Sequence, residues 1–111
     1  MISGLLDFDP TNTKSLEQWA LWHHQDHIEI KQVIQTALGL NLTIYDLYPL
    51  DLHKLEDWSL RHQSAHNEMN SASGLSGQDL QEVNFLDRQQ RLDWHEQHFS
   101  EHNAQRIKYG I

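Results

Sequence analysis

The chain has no cysteine. That absence excludes disulfide staples and thiolate metal sites, and it leaves His, Asp and Glu as the side chains able to ligate a transition metal. Basic charge is also scarce, with eight Lys and Arg against sixteen Asp and Glu for a formal net charge of −8. A surplus of that sign opposes approach to phosphate backbones and anionic bilayers, so neither nucleic acid nor membrane is an expected partner. No apolar run approaches the roughly 20 residues of a membrane span. The start, Met1-Ile2-Ser3-Gly4-Leu5-Leu6-Asp7, lacks the basic-then-apolar order of a secretory leader, so a soluble, unprocessed chain is expected. Also missing are a Gly-rich phosphate loop and an HExxH motif, and with no thiol nucleophile either, no enzyme is expected. At 111 residues, 38% of them hydrophobic, the chain suits one modest core and a single domain over residues 1–111.

Histidine is what the chain has in excess, nine in all. Six of them belong to a tandem repeat. Leu16-Glu17-Gln18-Trp19-x3-His23-x3-His27 aligns with Leu55-Glu56-Asp57-Trp58-x3-His62-x3-His66 and with Leu92-Asp93-Trp94-x3-His98-x3-His102, the Leu standing one residue closer to Trp in the third copy. The period is 39 residues from Trp19 to Trp58 and 36 from Trp58 to Trp94. Asp7-Phe8, Asp46-Leu47 and Asn84-Phe85 open the units, and Leu38-Gly39-Leu40, Gly74-Leu75 and Tyr109-Gly110-Ile111 close them, giving units near 5–40, 41–75 and 76–111.

Helix punctuation recurs with the same period. Ser15-x-x-Gln18 and Asp87-x-x-Gln90 have the form of capping boxes, Asp51 follows Pro49 as an N-cap, and Gly39, Gly74 and Gly110 stand where a left-handed residue ends a helix. The expected fold is all-α: three tandem helical repeats near 16–38, 52–72 and 88–108 packed as a small bundle, with short connectors at Asn41–Leu50 and Gly77–Leu86 carrying brief extended segments or single turns. Residues i, i+4 and i+8 share one helical stripe. Trp, His and His therefore lie together in each unit, continued by Ile30, Ile34 and Leu38 in the first helix and running from Leu55 to Met69 in the second. Flanking Glu17, Gln18, Gln25, Glu56, Asp57, Gln63, Glu96 and Gln97 are polar, which turns the stripe inward.

Six inward histidines have two readings. Two imidazoles one turn apart can chelate one ion, so His23, His27, His62, His66, His98 and His102 can surround a single octahedral ion or divide into two three-His sites completed by water. Imidazole suits Zn, Cu, Fe and Ni, and the lack of carboxylates at the repeated positions argues against Ca or Mg. Alternatively the rings are polar core residues bonded to one another, to backbone carbonyls, or to Asp7, Asp46 and Asn84. Protonating all nine histidines would carry the formal charge from −8 to +1, so acid is expected to loosen the fold. His24, His53 and His95 lie off the repeat and are expected at the surface. Trp19, Trp58 and Trp94 are expected as core anchors, and Trp22, beside the stripe, as an exposed contact for a partner protein. The acidic residues Asp7, Asp9, Glu17, Glu56, Asp57, Glu82 and Asp87 are expected as solvated surface.

The repeat resembles small proteins of tailed bacteriophages that carry tandem L-x2-W-x3-H-x3-H units, each followed by a helix ending in LGL or LGI and a DL connector. The matching elements here are Leu16/Trp19/His23/His27, Leu55/Trp58/His62/His66 and Trp94/His98/His102, with Leu38-Gly39-Leu40, Asp79-Leu80 and Tyr109-Gly110-Ile111. Tyr109 in place of Leu and the shifted Leu92 depart from that pattern. The resemblance implies a virion structural or assembly protein of tail, neck or capsid, working with other virion proteins in a symmetric assembly, or otherwise a regulatory or binding protein of the host cytoplasm. Hemerythrin-like proteins are also small, helical and rich in Trp and His; they combine HxxxH with HxxxE, which no unit here has, so a helical metal-binding protein of hemerythrin-like type stands as an alternative expectation.

Overall fold

Helices start where a side chain can take up the first unpaired amides. In the computed structural model, which describes residues 7–111, Asn12 caps helix α1 (Thr13–Leu38) by accepting from Ser15 N. Residues 5 and 6, assigned above to the first unit, lie outside the described residues. Ser15, expected as that cap, instead accepts from Asp9 N through its hydroxyl, so the helix begins one turn earlier than its sequence signature indicated. Asp51 caps a 3-10 turn at Leu52–Lys54, which leads into helix α2 (Leu55–Ser73). Helix α3 (Arg88–Tyr109) begins at Asp87, whose carboxylate accepts from Gln90 N. The capping box is not closed there, because Gln90 Oε1 accepts from Asn84 N. Gly39, Gly74 and Gly110 end the three helices at φ of 67°, 67° and 69°, a left-handed conformation that a Cβ would strain.

The repeated residues stack in three levels. Trp19, Trp58 and Trp94 form the first, with ring centroids 5.8–6.4 Å apart. His23, His62 and His98 form the second, and His27, His66 and His102 the third, at 4.6–4.9 Å between rings within each level. Each helix passes the levels in the same order, so all three run in the same direction around a pseudo-threefold axis.

A parallel bundle requires its connectors to bring the chain back the length of a helix, about 28 Å for the 19 residues of α2. A helical or coiled connector of this size falls short, whereas ten extended residues reach about 33 Å. The connectors are accordingly open chain, with no strand among the described residues. The first can be followed against the helix direction by its bonds: Leu42 N donates to Gln35 Oε1 and Thr43 N to Glu68 Oε1, and then Asp46 O accepts from Arg61 Nε and Leu47 O from Trp58 Nε1. The second repeats the pattern, Gln78 N donating to Glu101 and Leu80 O accepting from Trp94 Nε1.

These returns also wall the core. Phe8, Leu47, Leu50, Leu80 and Phe85 close around the tryptophan level, while Ile30, Ile34 and Met69 form a separate apolar cluster toward the helix C-termini. Leu38 does not continue that stripe. It is 43% exposed, because α1 outruns its shorter neighbours by more than a turn. Gln63, expected as a polar flank, is buried, its amide accepting from Leu80 N and so holding the second connector.

Phe85 is almost fully buried and meets Trp94 edge-on with centroids 4.9 Å apart. Phe85→Ala should cost about 3–5 kcal/mol, read as a lower urea midpoint with an unchanged slope.

Candidate metal centre

Between the two apolar clusters lie the six repeated imidazoles. The bend of an α-helix, 3.6 residues per turn, brings i and i+4 onto one line, so each helix presents two rings at successive levels. All six are buried: His23, His27, His62, His66, His98 and His102 expose 3% or less. Above them each tryptophan lies flat on the first histidine of its own helix, at 4.4–4.6 Å and 13–22°. This stacking sets the ring planes.

The rings aim their Nε2 atoms at the axis. Pairs within the upper level stand 2.9 Å (His23 to His98), 3.2 Å (His62 to His23) and 3.1 Å (His62 to His98) apart, and His27 Nε2 from the level below is 2.9 Å from His23 Nε2. One ligand atom from each of the six lies within 4.8 Å of every other. An octahedral ion with metal–nitrogen bonds of about 2.1 Å places adjacent ligands about 3.0 Å and opposite ones about 4.2 Å apart. The six histidines can therefore hold a metal ion, and the 2.9 Å contact between His27 and His23 brings the two levels within reach of one another.

Two carboxylates orient the lower rings. His102 Nδ1–H donates to Asp26 Oδ2 at 2.6 Å, and His66 Nδ1–H donates to Glu101 Oε1 at 3.2 Å. Each bond fixes the tautomer that leaves Nε2 with a lone pair, the arrangement a metal-bound histidine requires. Asp26 is held in turn by Arg106, which also reaches Glu29. Glu101 also accepts from Asn70 Nδ2, Gln78 N and Gln97 Nε2. The expected partners do not serve: Asp46 and Asn84 accept from the amides of Tyr48 and Leu86, and Asp7 pairs with Arg91. Asp26 and Glu101 were missed because no motif marks them. The available signal was positional, since each immediately precedes the second histidine of its helix.

No family model, curated protein or solved structure matches this chain.

Hydrogen bonding alone leaves the upper triad frustrated. A neutral imidazole nitrogen either carries its proton or offers a lone pair, so among three at least two are alike. All three pairs are in contact, and one contact must set two protons or two lone pairs face to face. In addition, Nδ1 of His23, His27, His62 and His98 and Nε2 of His66 and His102 have no partner among the described residues. At about 1–3 kcal/mol for each unpaired buried group, the cluster is a large burden for a chain of this size. A cation on the axis removes the conflict, because every inward nitrogen can then be an acceptor. It also satisfies the two orphaned Nε2 atoms.

Burial is the main reason five of these rings resist protonation. It holds His23, His27, His62 and His98 well below the ordinary histidine range, and neighbouring histidines add to the effect. His66 is lowered to about 4 by burial, with Glu101 opposing. Burial works against Glu101 too, but the His66 contact and its other donors outweigh it and hold the acid at about 2.

The other predicted positions divide. Trp19, Trp58 and Trp94 are buried as expected, and Trp22 is 43% exposed. His53 is exposed and His24 half-buried. His95 contradicts the surface expectation. It is buried because Phe8 and Trp19 close over it edge-on at 5.2 and 5.6 Å, and that burial lowers it to about 4 despite Asp7 nearby. Asp7 is exposed as expected, and its carboxylate stands 3.1 Å from His95 Nε2. Among the described residues, surface hollows of 210–380 Å³ line the bundle away from the six repeated histidines.

Two outcomes follow. Histidines with folded pKa values below their unfolded ones leave the native state binding fewer protons, so, as far as these rings are concerned, the metal-free protein is at its most stable above pH 6.5. It should weaken as pH falls from there toward 4, by about 1.4 kcal/mol per pH unit for each ring kept neutral, visible as a falling Tm. The second concerns Gly77, where a Cβ would stand 2.2 Å from Asn70 Nδ2 and 2.7 Å from Glu101 Oε1. Gly77→Ala should displace Glu101 and weaken metal retention by about 10–100-fold, the usual effect of losing an outer partner, read by competition with a chelator.

Proposed function

We propose that the chain is a metal-stapled helical module in which six imidazoles hold one transition-metal ion and the ion locks three parallel helices. The observation that carries this reading is the triad of mutually touching Nε2 atoms on His23, His62 and His98. Among the metals that imidazole favours, copper prefers tetragonal and structural zinc tetrahedral surroundings, so six equivalent nitrogens fit iron or nickel best.

The role is structural and not catalytic. Six protein ligands fill an octahedral ion and leave no position for water or substrate, and the hollows described above do not border the site. A hemerythrin-like oxygen chemistry would need an open position and carboxylate ligands. Here the carboxylates stand behind the ligands. A closed site acts on folding: structural zinc sites contribute about 10–16 kcal/mol, as much as the whole stability of an ordinary domain.

The resemblance to tailed-phage proteins supports a place for this module in a virion or its assembly, with exposed Trp22 as a contact for a neighbouring protein. A virion part should copurify with particles at fixed stoichiometry, and a free cytoplasmic pool would contradict it.

Elemental analysis after native, tag-free purification should find one transition-metal ion per chain. Stripping the ion should lower Tm by more than about 20 °C, and His62→Ala with His66→Ala should abolish retention. Metal-free protein of undiminished Tm, unmoved by added iron, nickel or zinc, would refute the proposal.

A further inference from the structure

The outer ring of the site follows the same pseudo-threefold order as the ligands, but with one place empty of charge. Asp26 on α1 precedes His27 and reaches across to His102 on α3; Glu101 on α3 precedes His102 and reaches His66 on α2. Continuing the cycle, the residue of α2 that precedes His66 should reach His27 on α1. That residue is Ala65, fully buried, and His27 Nδ1 is buried with no partner among the described residues.

The missing carboxylate sets the charge of the centre. Glu101 brings one negative charge balanced only by neutral donors and by His66. Asp26 and Glu29 share the single cation Arg106, leaving a second. Lys31 and Glu68 cancel each other at 3.2 Å, as do Arg91 and Asp7 at 3.0 Å on the far side of the tryptophans. Six neutral imidazoles contribute nothing. With Glu29 half-exposed, the surroundings therefore hold at most two uncompensated negative charges, and the interior, closed by apolar clusters at both ends, gives a third positive charge no partner.

We propose that this centre is built for a doubly charged ion and discriminates against the trivalent state, with Ala65 as the position that withholds a third carboxylate. The proposal rests on the metal reading above. Bound iron is held ferrous, and the ligand class is a divalent first-row cation. Asp26 and Glu101 act as positioning and charge-setting residues through His102 and His66, without touching the ion.

The test loads the metal-free full-length chain with one equivalent of ferrous iron without oxygen and first measures bound iron, so that failure to bind strikes the metal reading itself. The loaded protein is then exposed to air and titrated with ferricyanide, which takes one electron from each ferrous ion and becomes ferrocyanide, with the ferric fraction read by electron paramagnetic resonance. The wild type should stay ferrous in air. Ala65→Glu should raise the ferric-over-ferrous preference at least tenfold, a potential lower by about 59 mV, while Asp26→Asn and Glu101→Gln, which keep an acceptor but remove the charge, should shift it at least as far in the opposite direction. Should Ala65→Glu fail to fold by circular dichroism, the two neutralising variants decide alone. Wild-type iron that turns ferric in air, or a potential unmoved in folded variants that retain the iron, would overturn the proposal.

Discussion

Three imidazole nitrogens cannot all satisfy one another at hydrogen-bond distance, and the rest of this molecule is arranged around that conflict. His23, His62 and His98 are pressed together by tryptophans stacked on their backs, and a second triad closes from below. A chain of ordinary stability does not retain such a cluster for its own sake, since apolar side chains of similar volume would pack there at lower cost. A shared cation, as proposed, would turn the same convergence from repulsion into bonds. The apolar clusters above and below then serve to keep water from competing.

The direction of the helices depends on this constraint as well. Neighbouring helices joined by short loops run antiparallel, and an antiparallel partner would reverse the order of Trp, His and His. Matching levels demand parallel helices, and parallel helices demand long returns. Those returns are put to use: Leu47 and Leu80 supply the carbonyls that accept the indole N–H of Trp58 and Trp94, and Gln78 supplies an amide to Glu101. Connectors, tryptophans and outer carboxylates are thus one hydrogen-bonded shell around the ligands.

Much of this was legible in the chain because it is periodic. The i, i+4, i+8 stripe announced three helices and the six inward rings, and the glycines after each helix marked their ends. What repetition does not carry could not be read. Helix direction is invisible to a stripe, which looks the same in either orientation. Asp26 and Glu101 resemble any surface acid until α3 and α2 are brought alongside, and Ala65 breaks their pattern. His95 sits off the stripe, and only the fold of Phe8 over it makes it interior. Ser15 looked like a cap because the alternative, Asn12, needed the preceding turn at Asp9 to be known.

The open connectors have a further consequence. Three parallel Trp-x3-His-x3-His helices about an axis are what a trimer of one short chain would form, and such a trimer would gather its ligands only at high concentration. Joining the units in one polypeptide makes that encounter intramolecular, with an effective concentration in the millimolar range for tethers of this kind. Occupancy of the proposed site would then depend on the supply of metal and not on the abundance of the protein. It also frees the three units to diverge, so that one can hold Asp26, another Glu101 and the third Ala65, a difference that no symmetric trimer can encode.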